Sequence, residues 1–191
     1  MKDKKLFGIS EGIICQQVNC CGVMNAGLAK IIKTQYPQVE EAFYDNYKKS
    51  TNSQNRNYKC HFNQLGSFQL VALDKPFQPV RNSDNTAMID NGIYVANIYS
   101  QDFYGNPSKT GKVYTKLDSL INSIKTIAAF SSLPVYVPFH IGCGFGGEKW
   151  ENVQQQLQTL VSDGYDNIYL LDTYSNEIEK VEPFVLDERE M

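Results

Sequence analysis

The sequence predicts an α/β layered fold on a partly parallel sheet, and three observations predict it. Short apolar runs alternate with segments of helical periodicity along most of the chain. Two of the apolar runs end in glycine-rich turns that open towards helices. The loops between Ser67 and Tyr99 allow an antiparallel hairpin beside the parallel strands. A length of 191 residues, 42% hydrophobic and 20% charged, fits a single packed domain over 1–191, with a core at about 5–174 and an acidic tail at 175–191.

Each element has its own local reason. Lys5 to Ile9 reads as a short edge strand and Gly12 to Val18 as a near-continuously apolar core strand. A glycine-punctuated turn follows from Cys20 to Gly27. Leu28, Ile31 and Ile32 then recur at helical spacing, and the helix ends near Tyr36, before Pro37. Pro37 suits the first turn of a second helix, with Val39, Ala42, Phe43 and Tyr47 as its buried stripe. The polar stretch 49–64 reads as a flexible connection. Ser67 to Leu73 and Ile93 to Tyr99 read as strands, separated by a loop from Lys75 to Asn91. Gln101 to Lys112 is a polar loop bearing Gly105 and Pro107. Leu117, Leu120, Ile121, Ile124 and Ala128 mark an amphipathic helix, and Leu133 to Phe139 a strand. A helix with Trp150, Val153, Leu157 and Leu160 on one face precedes a last core strand, Asn167 to Asp172. The tail from Ser175 is peripheral.

Composition narrows the function classes. Five cysteines with no Cys-x-x-Cys pair, and only His61 and His140 beside them, make a disulfide framework and a structural metal poor explanations. No metal or cofactor is expected. The basic start Lys2-Asp3-Lys4-Lys5 is followed by an apolar stretch too short for a secretory or membrane segment, so the expected compartment is the cytoplasm. Net charge is −3, with the 18 Lys and Arg residues scattered. A sequence-specific nucleic-acid binder would carry a basic stripe. An anionic small molecule must then be held by something other than a field of cations.

The two glycine turns supply that alternative. The first runs Gly22-Val23-Met24-Asn25-Ala26-Gly27 and the second Ile141-Gly142-Cys143-Gly144-Phe145-Gly146-Gly147. Glycine lets backbone approach a ligand without a Cβ, and the helix that follows offers unpaired N–H groups at its positive end. Such a turn suits phosphate, and two in one sheet can clasp a diphosphate. Either turn alone is compatible with a plain strand-to-helix connection. Gly22 to Gly27 is not a Walker loop, because Leu28-Ala29 stands where Lys-Ser/Thr is required. Gly142, Gly144 and Gly147 fit the dinucleotide fingerprint, but only one further core strand remains after them. An NAD-binding Rossmann-like enzyme is therefore the weaker alternative.

At these residues the chain resembles the macro-domain family, and within it the small phage and bacterial proteins that process ADP-ribose-1″-phosphate. The resemblance is carried by Gln17-Val18-Asn19-Cys20, Gly22-Val23-Met24 and Gly27-Leu28-Ala29. It continues in Val95-Ala96-Asn97, Gln101-Asp102, Tyr104-Gly105, Ile141 to Gly147 and Trp150. It implies a three-layer α/β/α sandwich with a mixed central sheet. It also implies ADP-ribose or a derivative as ligand, free or on an ADP-ribosylated macromolecule. Gln17, Asn19 and Gly22 to Gly27 would lie at the distal ribose and one phosphate, Ser100 and Gln101 beside that ribose, and Ile141 to Gly147 around the diphosphate. The chain departs from the family at the adenine contact, where Gly8 is followed by Ile9-Ser10-Glu11 rather than Asp, with Glu11 as a substitute. Asn25 replaces a glycine. The Lys and Asp pair of the terminal-ADP-ribose glycohydrolase branch is missing, with Gly146 at the Asp position.

Hydrolysis at the distal ribose, whether as a phosphatase or a de-ADP-ribosylase, needs a base or a water-orienting group. Asn19, Asp102 and His140 are the candidates, Cys143 is a packing residue rather than a nucleophile, and Tyr174 is a candidate to stack on adenine. The alternative from another class is a non-catalytic receptor or sponge for ADP-ribose or NAD-derived nucleotides.

Overall fold

In the computed structural model, which describes residues 6–51, 60, 62–74 and 91–183, six strands form one sheet in the order β2-β3-β1-β4-β5-β6. The strands are β1 (Gly12–Asn19), β2 (Phe68–Ala72), β3 (Ile93–Gln101), β4 (Val135–Pro138), β5 (Ile168–Leu171) and β6 (Ile178–Lys180). The helices are α1 (Gly27–Gln35), α2 (Pro37–Thr51), the single turn α3 (Pro107–Thr110), α4 (Leu117–Phe130) and α5 (Trp150–Ser162), with a 3-10 turn at Phe62–Gln64. β1 pairs in parallel with β3 and β4, and β4 with β5. β2 and β6 run antiparallel to their neighbours β3 and β5.

Side-chain alternation along the strands sorts the core into two faces. Ile13, Cys15, Ala96, Ile98, Val135 and Val137 pack with Leu120, Ile124, Val153 and Leu157 of α4 and α5. Ile14, Val71, Ile93 and Val95 pack with Ile32, Val39 and Ala42 of α1 and α2. The result is the mixed-sheet α/β/α sandwich. On the α2 side the sheet also buries a polar ladder. Gln16 donates to Asn97, Asn97 donates to Gln69 Oε1 at 3.2 Å, and Gln69 Nε2 donates to the Ala42 carbonyl at 3.1 Å. A buried amide is stable only when paired, so this ladder seats α2 in one register.

Several local expectations are corrected. Leu6 to Ile9 is not an edge strand but a tight turn. Phe7 (φ 55°) and Gly8 (φ 78°) both have positive φ, and Leu6 and Ile9 exchange backbone hydrogen bonds across it. The stretch 49–64 begins inside α2, and 52–59 and His61 lie outside the described residues. The loop 75–90 does too. The polar loop after Gln101 holds one helical turn, capped by Asn106 Oδ1, which accepts from Ser108 N. The tail is not merely peripheral: β6 adds a strand to the sheet, and Val181 is buried against the α5 side. A disulfide joins Cys21 to Cys60, a pairing that the odd cysteine count had concealed. Among the described residues, no helix is long and apolar enough to cross a membrane.

Candidate functional site

A cleft opens where the parallel strands β1, β3 and β4 end, at Asn19, Gln101 and Pro138. The helix after β1 packs on one face of the sheet, and the helix after β4 on the other. A crevice outside the carboxyl ends of neighbouring strands is the consequence of such a switch in winding. The cleft has two chambers. One, of about 280 Å³, is lined by the ends of β1 and β3, the first glycine turn, Tyr104, Gly105 and Phe145. The other, of about 370 Å³, continues past Ala26 to Ala29 and Phe139 to Gly146, out to Tyr174. Gln17, Ala26, Ala29, Gln101 and Phe145 line both.

Asn19 builds the first turn. Its Oδ1 accepts from the amides of Cys21 (3.0 Å) and Val23 (3.2 Å), and its Nδ2 donates to the Val23 carbonyl at 2.6 Å. Gly22 lies beneath, against the ring of Tyr47, and does not line the cleft. The turn feeds α1 through Ala26, which has extended backbone and no side-chain cap. The amides of Gly27, Leu28 and Ala29 consequently have no protein partner among the described residues and face the cleft with the positive end of the helix dipole.

The second turn is held from beneath by Thr115. Its hydroxyl donates to the Gly142 carbonyl at 2.8 Å and accepts from Gln17 Nε2 at 3.0 Å, and its amide donates to the Gly146 carbonyl at 3.0 Å. Glycine is required at this contact. A Cβ on Gly146 would overlap Thr115 Oγ1 and the Gly142 carbonyl, and would come within 2.8 Å of Gln17 Oε1. The amides of Gly142, Gly144, Phe145 and Gly146 have no partner among the described residues. In contrast to the sequence reading, α5 itself does not meet the cleft. It starts at Trp150, beyond the lining residues, and Glu148 accepts from the Lys149 amide at 2.9 Å just before it. The second set of donors belongs to the loop, not to a helix end.

Of the sequence-derived site residues, Gln17, Asn19, Val23, Met24, Asn25, Ala26, Gly27, Gln101, Ile141, Gly142, Gly144, Phe145, Gly146 and His140 line the cleft. Gly22, Ser100, Cys143 and Gly147 sit behind it, as does Asp102. Ser100 is fully buried and its hydroxyl accepts from Gln17 Nε2 at 3.1 Å. Asp102 Oδ2 pairs with Lys116 Nζ at 2.7 Å, and Oδ1 is buried without a partner among the described residues. His140 is exposed at the rim in a left-handed conformation (φ 59°), edge-on to Trp150. Burial, with Glu148 and Glu151 nearby, pushes the Cys143 thiol up to about 11, so it stays protonated at neutral pH. Tyr174 is 94% exposed and lines the outer chamber, while Glu11 lines neither.

Sequence reasoning missed Thr115, whose contacts lie far apart in the chain, and named Tyr104 only among the residues that carry the resemblance, not as part of the site. Tyr104 stacks on Phe103 with ring centroids 5.2 Å apart and planes 4° from parallel. Phe103 in turn leans on Tyr114 at 6.2 Å.

The chain is 27% identical over 140 residues to DNA ADP-ribosyl glycohydrolase of Mycobacterium tuberculosis, a match covering 73% of this chain and 32% of that protein. The Mycobacterium bovis counterpart matches to the same extent. The chain thus spans about a third of the length of the curated relatives it matches. No family model matches it. Among solved structures, the macrodomain of Mycobacterium tuberculosis DarG superposes with a TM-score of 0.59 at 21% identity, covering 87% of this chain and 91% of that one. Thermosipho africanus DarTG in complex with ADP-ribose gives 0.58 at 20% identity, covering 87% and 39%. A Bacteroides thetaiotaomicron protein of unknown function gives 0.59 at 24%, covering 84% and 86%. The mixed six-stranded sheet with its helices matches the α/β fold of these structures: in fold, the chain is a macrodomain.

Proposed function

We propose that the cleft binds ADP-ribose and that the chain releases it from a conjugate attached at the distal ribose. The binding half rests on one observation: two sets of unpartnered amides, Gly27 to Ala29 and Gly142 to Gly146, line the same cleft. A diphosphate lying there would take N–H donors from both, and hydrogen bonds to charged groups each contribute about 1.5–3 kcal/mol. No Lys or Arg lines either chamber among the described residues, so backbone donors replace cations. Leu28, Ile31, Phe139 and Tyr174 offer the outer chamber an apolar slot suited to adenine. The likeness to a structure holding ADP-ribose supports this assignment.

The release half is supported by the likeness to a DNA ADP-ribosyl glycohydrolase. Water would attack the anomeric carbon of the distal ribose while the bond to the conjugate breaks. Gln101 is the lining group able to orient that water. Its Nε2 donates to the Phe103 carbonyl at 2.7 Å, which leaves Oε1 without a partner among the described residues. Asp102 would serve as base only after leaving Lys116. A second reading, a receptor that holds the nucleotide without turnover, is favoured by the inner chamber itself, which no carboxylate and no Lys lines. Incubation with ADP-ribosylated DNA and with ADP-ribose-1″-phosphate, followed by NMR, separates the two. Free ADP-ribose supports release. Saturable binding with no product over long incubation supports the receptor. An absence of calorimetric heat with millimolar ADP-ribose would end both.

A further inference from the structure

The inner chamber combines an aromatic wall with an uncharged lining. Its walls are Tyr104 and Phe145, which are 40% and 50% exposed, with Val18, Val23 and Met24 among the apolar lining. Tyr104 is covered on one side by Phe103, and that pair is buttressed by Tyr114, whose hydroxyl donates to Thr110 Oγ1 at 3.0 Å. A backed, parallel ring pair at a cavity wall is a platform on which a planar ring can stack. The lining is also free of Lys, Arg, Asp and Glu. Lys33, outside the lining, bonds the lining residue Asn25 at Oδ1 at 2.8 Å and pairs with Glu40 at 3.0 Å. A terminal phosphate dianion would find no counter-charge there.

Two amide ends complete the chamber. Asn25 Nδ2 is an unpartnered donor and Gln101 Oε1 an unpartnered acceptor among the described residues. That is the complement of a carboxamide, which accepts through its carbonyl and donates through its NH₂.

We infer that the inner chamber receives a planar, positively charged heteroaromatic carboxamide on the anomeric carbon of the distal ribose. The ligand is then an intact oxidised nicotinamide dinucleotide, and Tyr104 is the residue that selects it. This rests on the ADP-ribose reading of the cleft, because the same diphosphate contacts anchor both ligands. The ring stacks on Tyr104, and its positive charge meets the negative faces of Tyr104 and Phe145 rather than a repelling cation.

The test is calorimetry of the full chain with ADP-ribose, NAD⁺ and NADH, with saturation-transfer NMR on the nicotinamide protons. NAD⁺ should bind about fivefold more tightly than NADH, whose reduced ring has lost the charge. Its ring protons should receive saturation. Tyr104→Ala should weaken NAD⁺ about fivefold more than it weakens ADP-ribose, and Tyr104→Phe should restore the preference. Equal affinity for NAD⁺ and NADH, or a preference that survives Tyr104→Ala, overturns the inference while leaving ADP-ribose binding intact. Loss of ADP-ribose binding by wild-type protein instead strikes the underlying reading.

Discussion

Thr115 Oγ1 donates to the Gly142 carbonyl at 2.8 Å across 27 residues, and the same oxygen accepts from Gln17 Nε2 at 3.0 Å. One hydroxyl thus ties the end of β1 to the second glycine turn, from the segment between α3 and α4. Replacing it with valine keeps the volume and removes both roles. Thr115→Val is expected to cost about 1–3 kcal/mol in chemical denaturation, the range for stranding buried polar groups. It should also weaken ADP-ribose binding by about tenfold, as the loop amides lose their fixed direction. Unaltered affinity in a folded Thr115→Val protein would show that the turn holds its shape without this tie.

Ala26 is an N-cap without a cap. Ala26→Asp would supply an acceptor for the first-turn amides and stabilise α1 by about 0.5–2 kcal/mol. The same carboxylate would occupy and repel the place assigned to the diphosphate. The expected pair of outcomes is a raised melting temperature with ADP-ribose affinity reduced more than about tenfold. A stabilised variant that binds as well as wild type would remove α1 from the phosphate site.

Gly146→Ala forces a methyl group into Thr115, the Gly142 carbonyl and Gln17. Neither backbone oxygen nor the buried Thr can move far. A loss of about 1–3 kcal/mol is expected, as for overpacking generally. Gly144→Ala, where a Cβ meets nothing within 4 Å, is the control and should melt close to wild type. Similar melting points for the two would contradict the close approach of Thr115 and the Gly142 carbonyl to Gly146.

Burial pushes the thiols of Cys15 and Cys20 from 9.0 up to about 12. Below pH 9 both states keep these protons, and this contribution to stability is complete. Between pH 9 and 12 the unfolded chain ionises while the folded one still holds its protons, so stability falls through that window. Urea midpoints measured from pH 8 to 11 should decline, and Cys15→Ala should make the decline shallower. A Cys15→Ala slope identical to that of wild type would mean that this thiol is not held as described.

The Cys21–Cys60 bond closes a separation of 39 residues between the first turn and the segment before the 3-10 turn. Chain-entropy arguments put such a link at about 4 kcal/mol. Thermal melts in a phosphine reductant should fall well below melts of the oxidised protein, and Cys60→Ser should reproduce the reduced curve. Superimposable melts would show that the link adds nothing.

The sequence by itself determined most of the elements and the position of the two glycine turns. Apolar periodicity placed α1, α2, α4, α5 and the strands β1 to β5 close to their bounds, because buried stripes and turn residues are local signals. The two glycine turns were legible for the same reason, although the sequence reading gave the second set of amides to a helix end and the structure gives it to the loop. What the tertiary structure alone decided was direction and partnership. Asp102 turns to Lys116, Gln17 meets Thr115 98 residues away, Cys21 finds Cys60, and Ile178 to Lys180 join the sheet as β6. None of these follows from neighbours in sequence. Each is fixed by which strand ends and loops the sheet order brings side by side, and that order is set by packing across the whole core.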